Sequence, residues 1–226
     1  MSSKRLKTKA LSQLNNNWYE VIAAITAATL IPAAVSAAVV FLSNILSMIY
    51  GMFDAAILFP PFFVAMIALS VVSYLVYGIA EYGKYTYTLG FVRSGVKDLS
   101  ALVSGFKSLQ KCILLYIIKY IFIFLWTLLF IIPGIVAMYR YSAATFILIE
   151  NPEMSPMEAL RASSELMKGH KGERFVLDLS FLGWTILSTL SVYGFILLNP
   201  YYETAVTDFY VELMDDRSAD PYGAAV

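Results

Sequence analysis

Long, almost uncharged stretches of apolar residues constrain this chain more than any other feature. The longest runs from Val21 to Ile49, interrupted only by Ser, Thr, Asn44 and Pro32. A helix crosses the hydrocarbon of a bilayer in about 20 residues, whereas the apolar region of a cleavable signal peptide has only about 7–15. The stretch therefore predicts an uncleaved transmembrane helix.

The composition indicates lipid, rather than water alone, as the solvent of this chain. Of its 226 residues 59% are hydrophobic and 14% are charged, against about 45–50% and 25% in soluble domains. Sixteen basic residues balance sixteen acidic ones, which argues against a nucleic-acid partner. One cysteine and one histidine exclude an internal disulfide and a zinc cluster, and no cofactor is expected.

We predict an all-α, polytopic transmembrane bundle that forms a single domain over residues 1–214. Its six helices are expected at about 21–49, 55–80, 112–132, 135–149, 175–190 and 195–214. Turns are predicted at 51–54, 133–134 and 191–194, an aqueous loop at 81–111 with a short surface helix near 98–107, and a flexible tail at 215–226. The alternative is five helices, with one helix over 175–198 followed by an amphipathic tail.

A seventh, amphipathic helix is predicted at 156–168. Ser155-Pro156-Met157-Glu158 forms a capping box, with a hydroxyl at the N-cap and a glutamate that bonds back. Charged residues at 158, 161, 165 and 168 share one face, so the helix should lie at the membrane surface or pack on the bundle.

The distribution of basic residues predicts the orientation. Lysine and arginine concentrate in the N-terminal segment and in the 81–111 and 150–174 loops, while the turns near residues 51, 133 and 191 carry none. The positive-inside rule then places both termini and the amphipathic helix in the cytoplasm.

Several segments resemble the bacterial multi-pass membrane family DUF975. They are GFVRSGVKDLSALVSGF, IIPGIVAMYRYSAATFIL, NPEMSPMEAL, SSELMKGHKGERFVLDLSFLGW and NPYYETAVTDFY, which lie within residues 78–213. The resemblance implies a Gram-positive plasma-membrane protein, distantly similar to the membrane domain of some glycerophosphodiester phosphodiesterases. It brings no established activity and no catalytic residues.

Ionisable side chains inside the membrane are the first candidates for a site, because each is costly unless it is paired or hydrated. The candidates are Lys119, Arg140, Asp178, Glu203 and Asp208. Depth along the helices suggests the pairs Lys119–Glu203 or Arg140–Glu203, while Asp178 should meet Lys111, Arg174 or the surface helix. The set could line a polar pocket or ion path, or it could fix the register of the helices.

A basic turn after the amphipathic helix supplies the second set of candidates. Its residues Lys168, His170, Lys171 and Arg174 could bind anionic lipid head groups, or they could be ordinary positive-inside anchors. His170 has no nucleophile or metal partner within a motif, and Ser104-x-x-Lys107 lacks the companion motifs of an enzyme.

These patterns favour a non-enzymatic plasma-membrane protein that contacts lipid, or a membrane-protein partner, through its cytoplasmic face. A second copy of the chain could be that partner. The alternative is a small transporter, channel, or export or immunity factor with an intramembrane polar site. An intramembrane enzyme acting on lipid is a third hypothesis.

Overall fold

The computed structural model describes residues 2–52, 55–189 and 192–219, and over these residues the chain is helical without a β-strand. The helices are α1 (Ser3–Leu14), α2 (Trp18–Met52), α3 (Ala55–Ser94), α4 (Ser104–Lys107), α5 (Leu109–Leu129), α6 (Ile131–Arg140), α7 (Ala144–Glu150), α8 (Pro156–Leu166), α9 (Lys171–Thr189) and α10 (Val192–Ala219). A 3₁₀ turn, Leu99–Val103, precedes α4.

Within the described residues, four helical segments are long and apolar enough to cross a membrane. They are Trp18–Tyr50, Phe62–Ser94, Leu109–Leu129 and Ile131–Glu150, the last formed by α6 and α7. The prediction of an all-α membrane protein is therefore supported, but only four of the six predicted spans meet this criterion. The start of α9 is too charged, since it holds Lys171, Glu173, Arg174 and Asp178, and α10 has the polar sequence NPYYET in its centre.

Consecutive helices pack side by side as three hairpins, α2–α3, α5–α6 and α9–α10. The predicted hairpin near Pro133 exists, but the chain turns at Phe130, whose backbone is extended. Pro133 and Gly134 lie in the first turn of α6, where a missing N–H costs little. The single helix over 175–198, which the five-helix alternative required, is not present, because α9 ends at Thr189 and α10 begins at Val192 and packs on α9. Residues 190 and 191 of the predicted turn lie outside the described residues.

The predicted aqueous loop at 81–111 is wrong over its first half. Helix α3 continues to Ser94, and its side chains Tyr82, Tyr87 and Leu89 are buried. Gly83 permits close contact between α3 and the 3₁₀ turn, because a Cβ at this position would overlap the backbone carbonyl of Leu102. The polar residues of this segment therefore belong to a packed helix, and only the region of the 3₁₀ turn and α4 matches the expected short surface helix.

Helix α1 was not predicted. Leu6, Ala10 and Leu14 recur every four residues and are buried. Leu6 and Ala10 belong to the main core, where α1 packs on α10 and α9, and Leu14 belongs to a second cluster with Ile25 and Tyr87. At the other end of the chain α10 continues to Ala219, so the segment predicted as a tail begins as helix. Residues 220–226 lie outside the described residues, as do residues 53 and 54 of the turn predicted at 51–54.

The amphipathic helix is confirmed as α8. The Ser155 hydroxyl accepts from the Glu158 N–H (3.3 Å), and the Glu158 carboxylate accepts from the Ser155 N–H (2.7 Å). This second hydrogen bond lowers the pKa of Glu158. Leu160 and Ser163 face the core, so α8 packs on the bundle.

The helices separate into two regions. We call residues 3–28, 79–116, 139–174 and 199–218 the packed end, because most fully buried side chains lie there. We call residues 29–50, 62–78, 117–138, 175–188 and 194–198 the apolar arms, because most of the large exposed hydrophobic side chains lie there. The arms are the surface that lipid can cover.

Candidate functional site

Glu203, on α10, bonds a lysine that the sequence did not single out. Its carboxylate lies 2.5 Å from the Lys84 ammonium of α3, and the two side chains are only 8% and 10% exposed. The predicted partners Lys119 and Arg140 are wrong. Lys84 was missed because it was assigned to the aqueous loop, and the only sequence signal for it was the apolar run that continues into that segment.

A second acid lies beside this ion pair. Glu81 is one helical turn before Lys84 and accepts a hydrogen bond from the Tyr85 hydroxyl (2.7 Å). Lys84 bonds Glu203 rather than Glu81, so this group of side chains has one more acid than its lysine pairs. We call Glu81, Lys84 and Glu203 the Glu81 site.

The Glu81 site borders a cavity of about 250 Å³ between α2 and α3. Its walls include Ala28, Thr29, Pro32 and Ser36 from α2, and Tyr77, Glu81 and Lys84 from α3. Pro32 has no N–H to donate, so the carbonyl of Ala28 four residues earlier lacks its usual helical donor. The residues of the wall thus carry hydroxyl and carboxylate oxygens together with the ammonium of Lys84.

Hydroxyl groups connect α10 to α3 one helical turn after the ion pair. The Thr207 hydroxyl bonds the Thr88 hydroxyl (3.0 Å) and the Glu203 carbonyl (2.8 Å), and both threonines are buried. These contacts hold Glu203 and Lys84 at the same level of the bundle.

Asp178 pairs with Arg174, one of the three partners expected for it. Its carboxylate also accepts from the hydroxyls of Tyr202 (2.8 Å) and Tyr139 (3.0 Å). The guanidinium also donates to the hydroxyls of Tyr202 and Tyr210, both at 3.2 Å. We call these five residues the Asp178 cluster; its charges cancel and it joins α6, α9 and α10.

Arg140 and Lys119 occupy separate positions. Arg140 donates to the Ser164 hydroxyl (2.5 Å), and its carbonyl accepts from Ser163 (2.9 Å), which fastens the end of α6 to α8. The Lys119 ammonium lies 5.4 Å from the centre of the Tyr116 ring. Neither residue joins the Glu81 site.

Asp208 holds α1 in place. Its carboxylate lies 2.7 Å from Lys9 and 3.2 Å from the Gln13 amide, and Lys9 also bonds Glu212 (3.1 Å). Burial opposes the charged form of Lys9, but the hydrogen bonds to Asp208 and Glu212 outweigh it and raise the pKa of Lys9. Asp208 therefore lies in a contact between the two ends of the chain.

Three of the four residues of the basic turn contact neighbouring acids. Lys168 bonds Glu165 (2.6 Å), and this contact lowers the pKa of Glu165. His170 bonds Glu173 (2.8 Å), and Arg174 is buried in the Asp178 cluster. Lys171, on the same turn, is half-buried.

Neither metal nor thiol chemistry has a visible centre in the part of the chain that the structure describes. No group of three His, Cys, Asp or Glu residues there could hold a metal ion. Cys112 is buried, with its sulfur 3.6 Å from the Gly78 carbonyl, as expected of a small core residue.

Comparison with known proteins finds one matching family model and no activity. Residues 128–217 match the family described as a protein of unknown function, DUF975, which confirms the resemblance over this part of the chain. The matched part holds Arg140, Asp178, Glu203 and Asp208, whereas Glu81 and Lys84 precede it. No curated protein and no solved structure matches the chain.

Proposed function

With residues 128–217 matching DUF975, we propose that this helical membrane protein is a small, non-enzymatic transporter that accepts a monovalent cation at the Glu81 site. The observation that carries the proposal is the cavity between α2 and α3, whose wall contains Glu81 beside the buried pair of Lys84 and Glu203.

The charge of the site favours a cation. Lys84 and Glu203 neutralise each other, and Glu81 then adds one negative charge to a segment that is apolar enough to lie in a membrane. Such a charge is costly unless it is hydrated or paired, and a bound cation would pair it.

The available oxygens favour a monovalent ion. The wall residues Glu81, Thr29 and Ser36 carry side-chain oxygens; the Thr29 hydroxyl donates to the Thr26 carbonyl (2.9 Å), and the Ser36 hydroxyl lies 3.0 Å from that of Ser73. Calcium takes about 6–8 oxygen ligands, commonly from several carboxylates, whereas this wall supplies one carboxylate that is not already bonded to a lysine. Interrupted helices that expose backbone carbonyls to an ion are a known device of transporters.

The contacts of the basic turn support this choice over head-group binding there. Lys168 and His170 each bond an acid on the same short stretch, and Arg174 is buried. We also propose that the protein lies in the plasma membrane with both termini cytoplasmic; the contact between Lys9 and Glu212, which brings the two ends together, supports their common side.

Uptake into vesicles tests the proposal. The purified protein would be reconstituted in liposomes, and uptake of radiolabelled sodium, rubidium and methylammonium would be measured, with an internal pH dye for protons. We expect uptake of at least one of these cations above that of empty vesicles, and its loss in Glu81→Gln.

Glu153→Gln is the matched control, because Glu153 is an exposed acid between α7 and α8. It should transport as the parent protein does. Uptake in Glu81→Gln equal to that of the parent, or no uptake of any of the four cations, would overturn the proposal.

A further inference from the structure

A second cavity lies on another side of the molecule, between α1 and α2 on one side and the α9–α10 hairpin on the other. It has a volume of about 450 Å³, and its walls include Leu11, Trp18, Trp184, Leu187, Leu197 and Tyr201. We call it the Trp groove. From it we propose that the protein holds one anionic phospholipid, with an acyl chain in the groove and the phosphate at Lys4 and Lys7.

The walls match an acyl chain. The groove is lined mainly by leucine and aromatic side chains, and the Ser188 hydroxyl already donates to the Thr185 carbonyl. Trp184, Leu187 and Leu197 are more than half exposed and belong to the apolar arms. The groove is therefore continuous with the surface that lipid covers, and a chain could enter it sideways.

The basic end of the groove matches an anionic head group. Lys4, Lys7 and Leu11 are three and four residues apart, so they lie on the same face of α1. The Lys7 ammonium donates to the Ser180 carbonyl (2.5 Å) and lies 4.2 Å from the centre of the Phe181 ring.

Phe181 in turn packs edge-on against Tyr201 in the groove wall, with the ring centres 5.0 Å apart. A lysine has three N–H donors, so Lys7 retains donors for a phosphate next to the groove.

Tryptophan fluorescence reports on the groove directly. The chain has three tryptophans, and Trp18 and Trp184 line the groove. In a Trp126→Phe background, both remaining tryptophans report from it. The protein would be reconstituted in phosphatidylcholine containing increasing fractions of brominated phosphatidylglycerol, and then with the bromine on the phosphatidylcholine instead.

We expect brominated phosphatidylglycerol to quench the tryptophan fluorescence even when it is a minor fraction of the lipid. Lys4→Gln with Lys7→Gln should reduce this preference by about fivefold per lysine, the effect of one basic residue near a membrane surface, while quenching by brominated phosphatidylcholine persists. Lys168→Gln with Lys171→Gln, in the basic turn, is the control and should change nothing.

A second experiment fills the groove with larger side chains. Leu187→Phe with Leu197→Phe should exclude the chain and reduce quenching, whereas Leu179→Phe with Leu182→Phe places the same change on the apolar arms outside the groove. The proposal would be overturned if quenching in the parent protein were simply proportional to the bulk fraction of brominated lipid. It would also be overturned if Leu187→Phe with Leu197→Phe left the quenching unchanged. A loss of preference in the basic-turn control would overturn it as well, because it would place the head group there.

Discussion

The Asp178 cluster and the Glu81 site both contain buried charges, and the difference between them separates structure from function. The Asp178 cluster contains one acid, one guanidinium and three tyrosine hydroxyls, so its charges cancel and its donors and acceptors meet each other. The Glu81 site contains two acids and one lysine, and it borders a cavity. A charge-neutral cluster can hold helices together without a ligand, whereas an extra acid beside a cavity would be stabilised by a bound cation.

The Asp178 cluster and the Glu81 site also differ in how much of each lies within the residues that match the family model. The Asp178 cluster lies wholly within residues 128–217, and the Glu81 site has only Glu203 there. The matched segment thus provides a stable set of packed helices and one acid of the site. The remaining charges come from α3, which the match does not include.

The largest expected effect comes from breaking the ion pair of the Glu81 site. Lys84→Met leaves Glu203 buried without its cation, so the free energy of unfolding should fall by about 3–5 kcal/mol. Thermal unfolding in detergent, followed by circular dichroism, measures it. Lys84→Met with Glu203→Gln removes both charges and should recover much of the loss; a double variant as unstable as the single one would contradict the pairing.

The same truncation in the Asp178 cluster should cost less. After Arg174→Met, Asp178 keeps the hydroxyl donors of Tyr139 and Tyr202, and its side chain is 27% exposed. We expect a loss of about 1–3 kcal/mol in the same unfolding experiment. A loss larger than that of Lys84→Met would reverse the ranking of the two clusters.

Glu81→Gln should change stability little and remove the response to cations. The amide oxygen can still accept from Tyr85, so the change in unfolding free energy should stay within about 1 kcal/mol. In the parent, the transported cation should raise the melting temperature as its concentration increases, because a ligand stabilises the state that it binds. Equal melting shifts in parent and variant would show that the cation acts elsewhere.

The smallest effect is expected at the surface. Lys168 and Glu165 are 67% and 49% exposed, so their ion pair is weakened by solvent and salt. Lys168→Gln should leave the melting temperature unchanged within error at physiological salt. A clear decrease would mean that the basic turn is less solvated than its exposure indicates.

Features set by neighbouring residues were predictable from the sequence. The apolar runs indicated helices in lipid, Ser155 and Glu158 indicated the start of α8, and the spacing of Arg174 and Asp178 indicated one of their contacts. Each depends on residues within one or two helical turns, where spacing along the chain determines distance in space.

The pair Lys84–Glu203 was not predictable in this way. Its partners are 119 residues apart, and the depth argument that favoured Lys119 assumed helices beginning at one common level. The helices instead differ widely in length: α3 has 40 residues and α5 has 21. The polar stretch after Ala80 therefore looked like a loop, although tertiary packing keeps it helical.

The length of α3 has an electrical consequence. Forty residues at about 1.5 Å each extend to about 60 Å, twice the hydrocarbon thickness of about 30 Å. Glu81 lies about 20 Å from the Ser94 end by the same measure, near the border between the packed end and the apolar arms.

With the arms in the hydrocarbon, an ion that reaches Glu81 from the packed end would cross little of the membrane field. A potential of 100 mV changes the free energy of one charge by roughly 2.3 kcal/mol across the whole membrane, and most of this change would occur along the apolar arms. Cation binding from the packed end should then depend weakly on voltage, and passage along the arms should carry the voltage dependence of transport.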